Sequence, residues 1–569
     1  MRCGQVISMF ALLGALFGLS ADARAHGGQY SNPAIPRPDP STPSSGKTPP
    51  RGGGVTAATT PNWENWWEHN KEEFFDVRAR RQAKSDQEQE AGEGYTGSDL
   101  HQSASRSEIR DVIVPTIAAA LKDKSSDVRD AAAIAMGRIG MAPELAKLQP
   151  LLDDANTAVR EAAILGIGLL KHSMAEEVLI GLMQKPDTDA KERGLCALAL
   201  GLSGGDRALA ALKKNLGSDS PLPGVAAVKA RQLEGARALG IGLFAKAENA
   251  AVLLDAFKKG DTKDAAFRPL VLVGLSRAAD ASCQAIVFEG LRDKKDDVRR
   301  GAAILAGRCF AADQTKEVKK LVALWDEEND LHARAFLTIS LGRIGGDSAV
   351  PKLKTIFKEA RSKDDRAFAA IALGIAKSAA EAPLLREALQ KEKDISVRSA
   401  AAVALAIMDD AESAKAIHAL LANENPELQS YMVTALAMLD HKPALVDVRR
   451  LVGEARHPLL ARNSGLALGL MHDTTALDQM LSQLRNSGSI AVKGGMATAI
   501  GRIGDRRSID RLIEIVKDAS ATDQTRAFAV VALGLIGDKS QRSEFTRISI
   551  DSNFGLQTCE AFSTAIDVF

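Results

Sequence analysis

The residues of this 569-residue chain best suited to chemistry are its cysteines, its nine histidines and an arginine that recurs along its length. His441 and His472, flanked by Asp440 and Asp473, occupy equivalent places about thirty residues apart. A metal ion held between them needs at least one further ligand; otherwise they are polar loop residues. Cys196 lies in an apolar run and reads as a small hydrophobe. Cys283 and Cys309 begin one helical stretch and end the next, so antiparallel packing sets them side by side. In an oxidising compartment that placement permits a disulfide; the alternative is two thiols facing the apolar layer between helices. The sequence contains no HExxH, P-loop or CxxCH pattern. No catalytic, cofactor-binding or metal-binding set is assembled in it, and no cofactor is expected.

The recurring arginine occupies positions Arg129, Arg160, Arg193, Arg299, Arg334, Arg366, Arg398 and Arg526. Such a row either offers cations to an acidic partner or forms a ladder, each guanidinium bonding carboxylates or carbonyls nearby. Lys+Arg number 73 against 72 for Asp+Glu, so no net positive field exists for nucleic acid or an anionic membrane. The balance favours the ladder.

A second concentration is aromatic. "NWENWWEHNKEEFF", residues 62–75, holds Trp63, Trp66, Trp67, Phe74 and Phe75, including three of the four tryptophans of the chain. Read as a helix capped by Thr60 with Pro61 in its first turn, it sets Trp63, Trp66, Trp67, Phe74 and Val77 on one face, with Phe75 pointing elsewhere. That face requires a partner. It either caps the bare side of a first repeat or docks another protein; the cap is the expectation.

The elements that carry all these residues are internal repeats. "DVRDAAAIAMGRIG" (127–140) returns as "AVREAAILGIGLL", "DVRRGAAILAGRC", "HARAFLTISLGRIGG", "DRAFAAIALGIA", "SVRSAAAVALAIM" and "TRAFAVVALGLIG". Anchored on its glycine or alanine, the pattern gives thirteen copies, at 137, 168, 201, 240, 274, 307, 342, 374, 406, 437, 469, 501 and 534. Each period holds two helical stretches, an amphipathic one and a second that is apolar nearly all round and therefore buried. In the copy at 281–310, Asp297 is placed to cap the second helix. No stretch alternates with period two, so the fold class is all-α, a solenoid of about thirteen helix pairs.

The "VRxxAAxALGxIG" pattern at 128–140 and its echoes resemble the HEAT-like repeat family, in the short form typified by phycobilisome-lyase repeats. The "HGGQY" and "WENWWEHNKEEF" stretches are similar to a family of exported bacterial repeat proteins without an assigned activity. The resemblance implies a superhelix and, most commonly, a scaffold or adaptor for proteins. A resemblance to the di-iron hydroxylases among such folds would require His-Glu dipeptides, and the chain has none.

Residues 1–25 read as a signal peptide: Arg2, the apolar run Val6–Ser20, and a small-x-small site at Ala23-Arg24-Ala25. Residues 26–61 carry eight prolines and read as a disordered tether. The aromatic helix is expected over 62–82, a polar linker over 83–104, the solenoid over 105–540 and a C-terminal capping segment over 541–569. No later apolar run is long enough to span a membrane. These features point to an exported protein, periplasmic or secreted, that binds a protein partner along its solenoid and binds no nucleic acid. Candidate contact residues are Trp63, Trp66, Trp67 and Phe74, with Arg300, Phe336, Phe368, Tyr431, Arg462 and Phe528 on the second helices. The alternative is an enzyme or ligand carrier with its site in the concave groove.

Overall fold

The computed structural model describes residues 61–75, 103–140, 142–214, 216–217, 227–260, 267–278 and 281–538. The expected signal peptide, tether and C-terminal capping segment lie outside these, as does nearly all of the polar linker. Among the described residues the regular structure is helical, apart from one isolated antiparallel bridge between Ser103 and Asp505.

A short helix, α1 (Trp63–Asn70), precedes the repeats. The apolar second helices of the thirteen repeats are α2 (Ser126–Ile139), α3 (Thr157–Leu169), α4 (Ala190–Ser203), α5 (Ala227–Leu243), α6 (Phe267–Ala278), α7 (Asp296–Cys309) and α8 (Leu331–Ile344). They continue as α9 (Lys363–Ile375), α10 (Ile395–Ile407), α11 (Pro426–Met438), α12 (Pro458–Leu470), α13 (Ile490–Ile503) and α14 (Asp523–Gly537). Side chains at their starts accept from the first free amides: Asp330 from Ala333, Asp394 from Val397 and Asn425 from Leu428. α7 is an exception. Its cap position is Lys295, and Asp297 instead pairs with Arg300 at 2.9 Å, because the helix begins two residues earlier than its sequence suggests.

These helices touch backbone to backbone. A Cβ on Gly374 would lie 2.8 Å from Cα of Ala404, and one on Gly469 would lie 2.9 Å from Cα of Ala499. Only glycine permits that approach, which is why the anchor position is so rarely anything larger. The contacts also correct the repeat register. Gly242 packs on Gly274, and Gly274 packs on Ala238, so the anchors of α5 and α6 are Gly242 and Ser276, two residues beyond the glycines that the pattern selects.

The solenoid closes on itself. α14 packs along α2 as each inner helix packs along the next. A Cβ on Gly534 would meet Ala135 at 2.6 Å, the same anchor-to-small-residue contact found inside the array. The arginine ladder crosses the seam too. Arg129 reaches Asp154 at 2.8 Å, Arg160 reaches Glu192 at 2.7 Å, and Arg334 reaches Asp365 at 2.7 Å, each acceptor belonging to the following repeat. Arg366 and Arg398 likewise pair with Glu392 and Glu424. Arg526 of the last repeat pairs with Asp123 of the first. Asp123 stands before α2 as Asp154 stands before α3, and each accepts from the amide two residues on. The seam is therefore an ordinary repeat interface, with Arg506–Glu108 at 2.7 Å added beside it. The expected bare end of a first repeat does not exist: its partner is α14.

Candidate functional site: the lumen of the ring

α1 lies inside the ring. Trp63 packs on Tyr431 of α11, ring centroids 4.9 Å apart, and donates its indole N–H to Ser396 Oγ of α10 at 2.8 Å. Ser396 in turn donates to Glu64 at 2.6 Å. Arg462 of α12 donates to Glu68 at 2.6 Å, and Lys71 reaches the other oxygen of that carboxylate at 2.6 Å. Beyond the helix, Glu72 meets Arg502 of α13 at 2.5 Å, while Glu73 meets Arg308 of α7 at 3.3 Å and Arg343 of α8 at 3.2 Å. Only a segment on the concave side can touch so many inner helices, so the second helices line the lumen and the amphipathic ones form the outer layer.

The direction of α1 follows from the same contacts. Ser396, Tyr431 and Arg462 lie in the first two turns of their helices, whereas Arg308, Arg343 and Arg502 lie in the last. α1 thus runs parallel to the wall helices, from the ring face at their N-termini to the face at their C-termini. The chain passes through its own ring.

Three details differ from the sequence reading. Asn62, not Thr60, caps α1, its side chain accepting from Asn65 at 2.8 Å. The helix stops at Asn70, and a 3-10 turn over Lys71–Glu73 follows. That tighter winding advances the register, so Phe75 becomes buried and meets Trp67 edge-on at 5.8 Å, while Phe74 is half-buried and stacks on Trp67 at 5.7 Å. α1 also caps no repeat; it lines the lumen.

Electrostatics make the site a matched one. Burial alone would raise the Glu68 carboxyl, but Arg462 and Lys71 hold it at about 2. Burial raises Glu64 against the hydrogen bond from Ser396, with no cation beside it. Burial also lowers Lys71 despite the opposing pull of Glu68. The docked Glu68 lies below its ordinary value of 4.5, so its contribution to docking is complete above that pH and lost as pH falls toward 2. For Glu64 the sign is reversed: its ionised form opposes docking at neutral pH. Acid titration of tryptophan emission should therefore show α1 released between about pH 5 and pH 2 while helical circular dichroism persists. Glu68→Gln should remove that acid limb, and Glu64→Gln should tighten docking at pH 7.

The other candidate residues divide clearly. Phe336, Phe368 and Phe528 are buried between helices, two residues beyond the ladder arginine, and are core. Arg300 is an inter-repeat tie, bidentate to Asp330 at 2.8 and 2.7 Å. Arg193, fully buried, donates to the Met183 carbonyl at 2.7 Å. Arg299 joins Glu328 at 2.9 Å. Arg268 is a ladder member that the sequence pattern misses: it reaches Asp293 at 2.7 Å, and the shifted anchor Ser276 explains the omission. The arginines that hold Glu72 and Glu73 are a different set, directly after the anchor. Arg138 and Arg277 occupy the same register. The signal for them was the "GR" of "AMGRIG" (135–140) and "SLGRIG" (340–345), read there as repeat pattern alone.

His441 meets His418, ring centroids 5.3 Å apart, and His418 bonds Asp447 at 3.0 Å. Among the described residues no group of three or more His, Cys, Asp or Glu is placed to hold a metal ion. Cys283 and Cys309 are buried, and the structure holds both as thiols. Gln284, next to Cys283, donates to the Cys309 carbonyl at 2.9 Å, so the expected antiparallel placement is present. Thiol titration of the denatured, unreduced protein should find a reactive thiol at each of Cys196, Cys283 and Cys309, and none of the three before denaturation. Loss of the Cys283 and Cys309 signals together would identify a disulfide instead.

HEAT repeats are matched over residues 145–233 and 477–554, and a further HEAT repeat over 113–140. No curated protein sequence matches the chain. Similar solved structures include human deoxyhypusine hydroxylase in complex with glycerol, 18% identical, with 47% of this chain and 96% of that one covered and a TM-score of 0.21. The complex of CpcE and CpcF of phycocyanin lyase from Nostoc is 17% identical, with 47% and 94% covered and a TM-score of 0.29. Importin beta is 13% identical, with 75% and 62% covered and a TM-score of 0.32. Over residues 113–140, 145–233 and 477–554 the repeats that build the ring are HEAT repeats.

Proposed function

We propose that this protein is an exported protein-binding scaffold whose binding surface is the lumen of its ring. One observation carries the reading: the wall already accommodates a protein helix, burying three tryptophans and pairing its carboxylates with arginines from four inner helices. Aromatic anchors with charged pairs around them are the composition of protein-recognition sites. Among the described residues no helix is long and apolar enough to cross a membrane. Export rests on the N-terminal pattern of Arg2, the apolar run and Ala25.

The test places a photo-crosslinking amino acid at Tyr431, in the lumen wall, in cells that make the protein naturally. The expected result is a discrete protein adduct larger than the chain. Absence of any such adduct, or recovery of a bound small molecule in its place, would reject the scaffold. Fractionation with N-terminal sequencing tests the export element: the mature chain should leave the cytoplasm and begin at His26.

A further inference from the structure

α1 has no repeat end to cover, because every inner helix is flanked by inner helices on both sides. What it covers is the lumen wall, and that wall has one chemistry along its length. Tyr431 and Ser396 receive an aromatic side chain at the first turn. Arg462 receives a carboxylate five residues later, and Arg502, Arg308 and Arg343 receive two more at the far face.

The connection to the ring is longer than its task requires. Phe75 lies under Arg502 and Ser103 pairs with Asp505, so both ends of the connection sit beside the end of α13. Twenty-seven residues, 76–102, join them, and a chain of that length can span up to about 90 Å. The slack lets α1 leave the lumen while the ring stays closed. It also argues against exchange of α1 between two copies, since covalent linkage through 27 residues gives the segment a high effective concentration, on the order of millimolar, in its own ring. The lumen already passes a polypeptide from one face to the other.

We propose that the lumen is a docking channel for a helical segment of a partner protein carrying aromatics at i, i+3 and i+4 and carboxylates at i+5, i+9 and i+10. Residues 62–75 are a tethered competitor that such a partner displaces. This deepens the scaffold reading and rests on it.

The probe is a fluorescein-labelled peptide of residues 61–76, followed by anisotropy against the full mature chain. The wild-type ring, occupied by its own α1, should bind it weakly. The plug double variant Trp66→Ala, Glu68→Gln should bind it at least tenfold more tightly. Adding Arg462→Ala to that variant should return binding to the wild-type level or below. A folded plug variant that binds the peptide no better than wild type would overturn the proposal. If that variant does not fold, a lock replaces it: Glu64→Cys with Ser396→Cys, whose wild-type side chains lie 2.6 Å apart. Oxidation should then abolish the residual peptide binding and reduction should restore it; equal binding in both states would overturn the proposal. If a partner still crosslinks at position 431 while the freed lumen rejects the peptide, the competitor falls and the scaffold stands. If no protein reaches position 431, both fall.

Discussion

Gly534→Leu should open the ring. A Cβ at 534 would lie 2.6 Å from Cβ of Ala135 and 2.9 Å from its Cα, so a leucine has no space without parting α14 from α2. Overpacking of this kind costs on the order of 3 kcal/mol or more, and here it acts on the one interface that joins the last repeat to the first. The other interfaces remain, so helical content should persist while the particle lengthens. Small-angle scattering should show a radius of gyration clearly above that of wild type, with tryptophan emission shifted to the red as α1 loses its walls. In an open solenoid the same substitution would disturb a terminal helix and leave the dimensions unchanged. A folded Gly534→Leu protein with wild-type dimensions would therefore refute closure. Gly374→Leu, against Ala404 in mid-array, is the matched control: it should destabilise without the same seam opening.

Arg462→Ala should release α1. The guanidinium is buried, it bonds Glu68 at 2.6 Å, and its Nε bonds Asn463 at 3.0 Å. Removing it leaves a buried carboxylate with Lys71 as its remaining cation. Breaking a buried pair from one side costs about 3–5 kcal/mol, more than a short docked helix can absorb. Two readouts follow from composition. Trp63, Trp66 and Trp67 are three of the four tryptophans, so emission reports mainly on α1. Lys71 is buried in the lumen, so tryptic cleavage after it should accelerate in the variant. Unchanged cleavage at Lys71 would mean that α1 is held without the ion pair.

The repeats were legible because an anchor glycine recurs with near-constant spacing and a small residue is required wherever two helix backbones meet. Where the required residue changes type, the reading slipped: Ser276 does the work of glycine, and Arg268 was missed with it. Closure was not legible from the period, because it depends on a small rotation per repeat that no residue encodes alone. Asp123 carried a signal nonetheless. It occupies the acceptor position of the ladder at the first repeat, where an open array has no preceding arginine to supply. The aromatic stretch was recognisable as a face needing a partner, but a stripe on a helix names no partner surface. Phe336, Phe368 and Phe528 suggested contact by residue type; their place beyond the ladder arginine puts them in the layer between helices.

Closure also constrains how this molecule can change by duplication or deletion. An open array of repeats tolerates a unit gained or lost, because each addition moves only an end. In a ring, thirteen repeats share one full turn, about 28° each, and a ring of twelve or fourteen would have to alter every angle at once to keep Arg526 against Asp123. Unequal recombination within the coding sequence, ordinarily the easiest variation for tandem repeats, should be purged here, and copy number should stay fixed while residues drift.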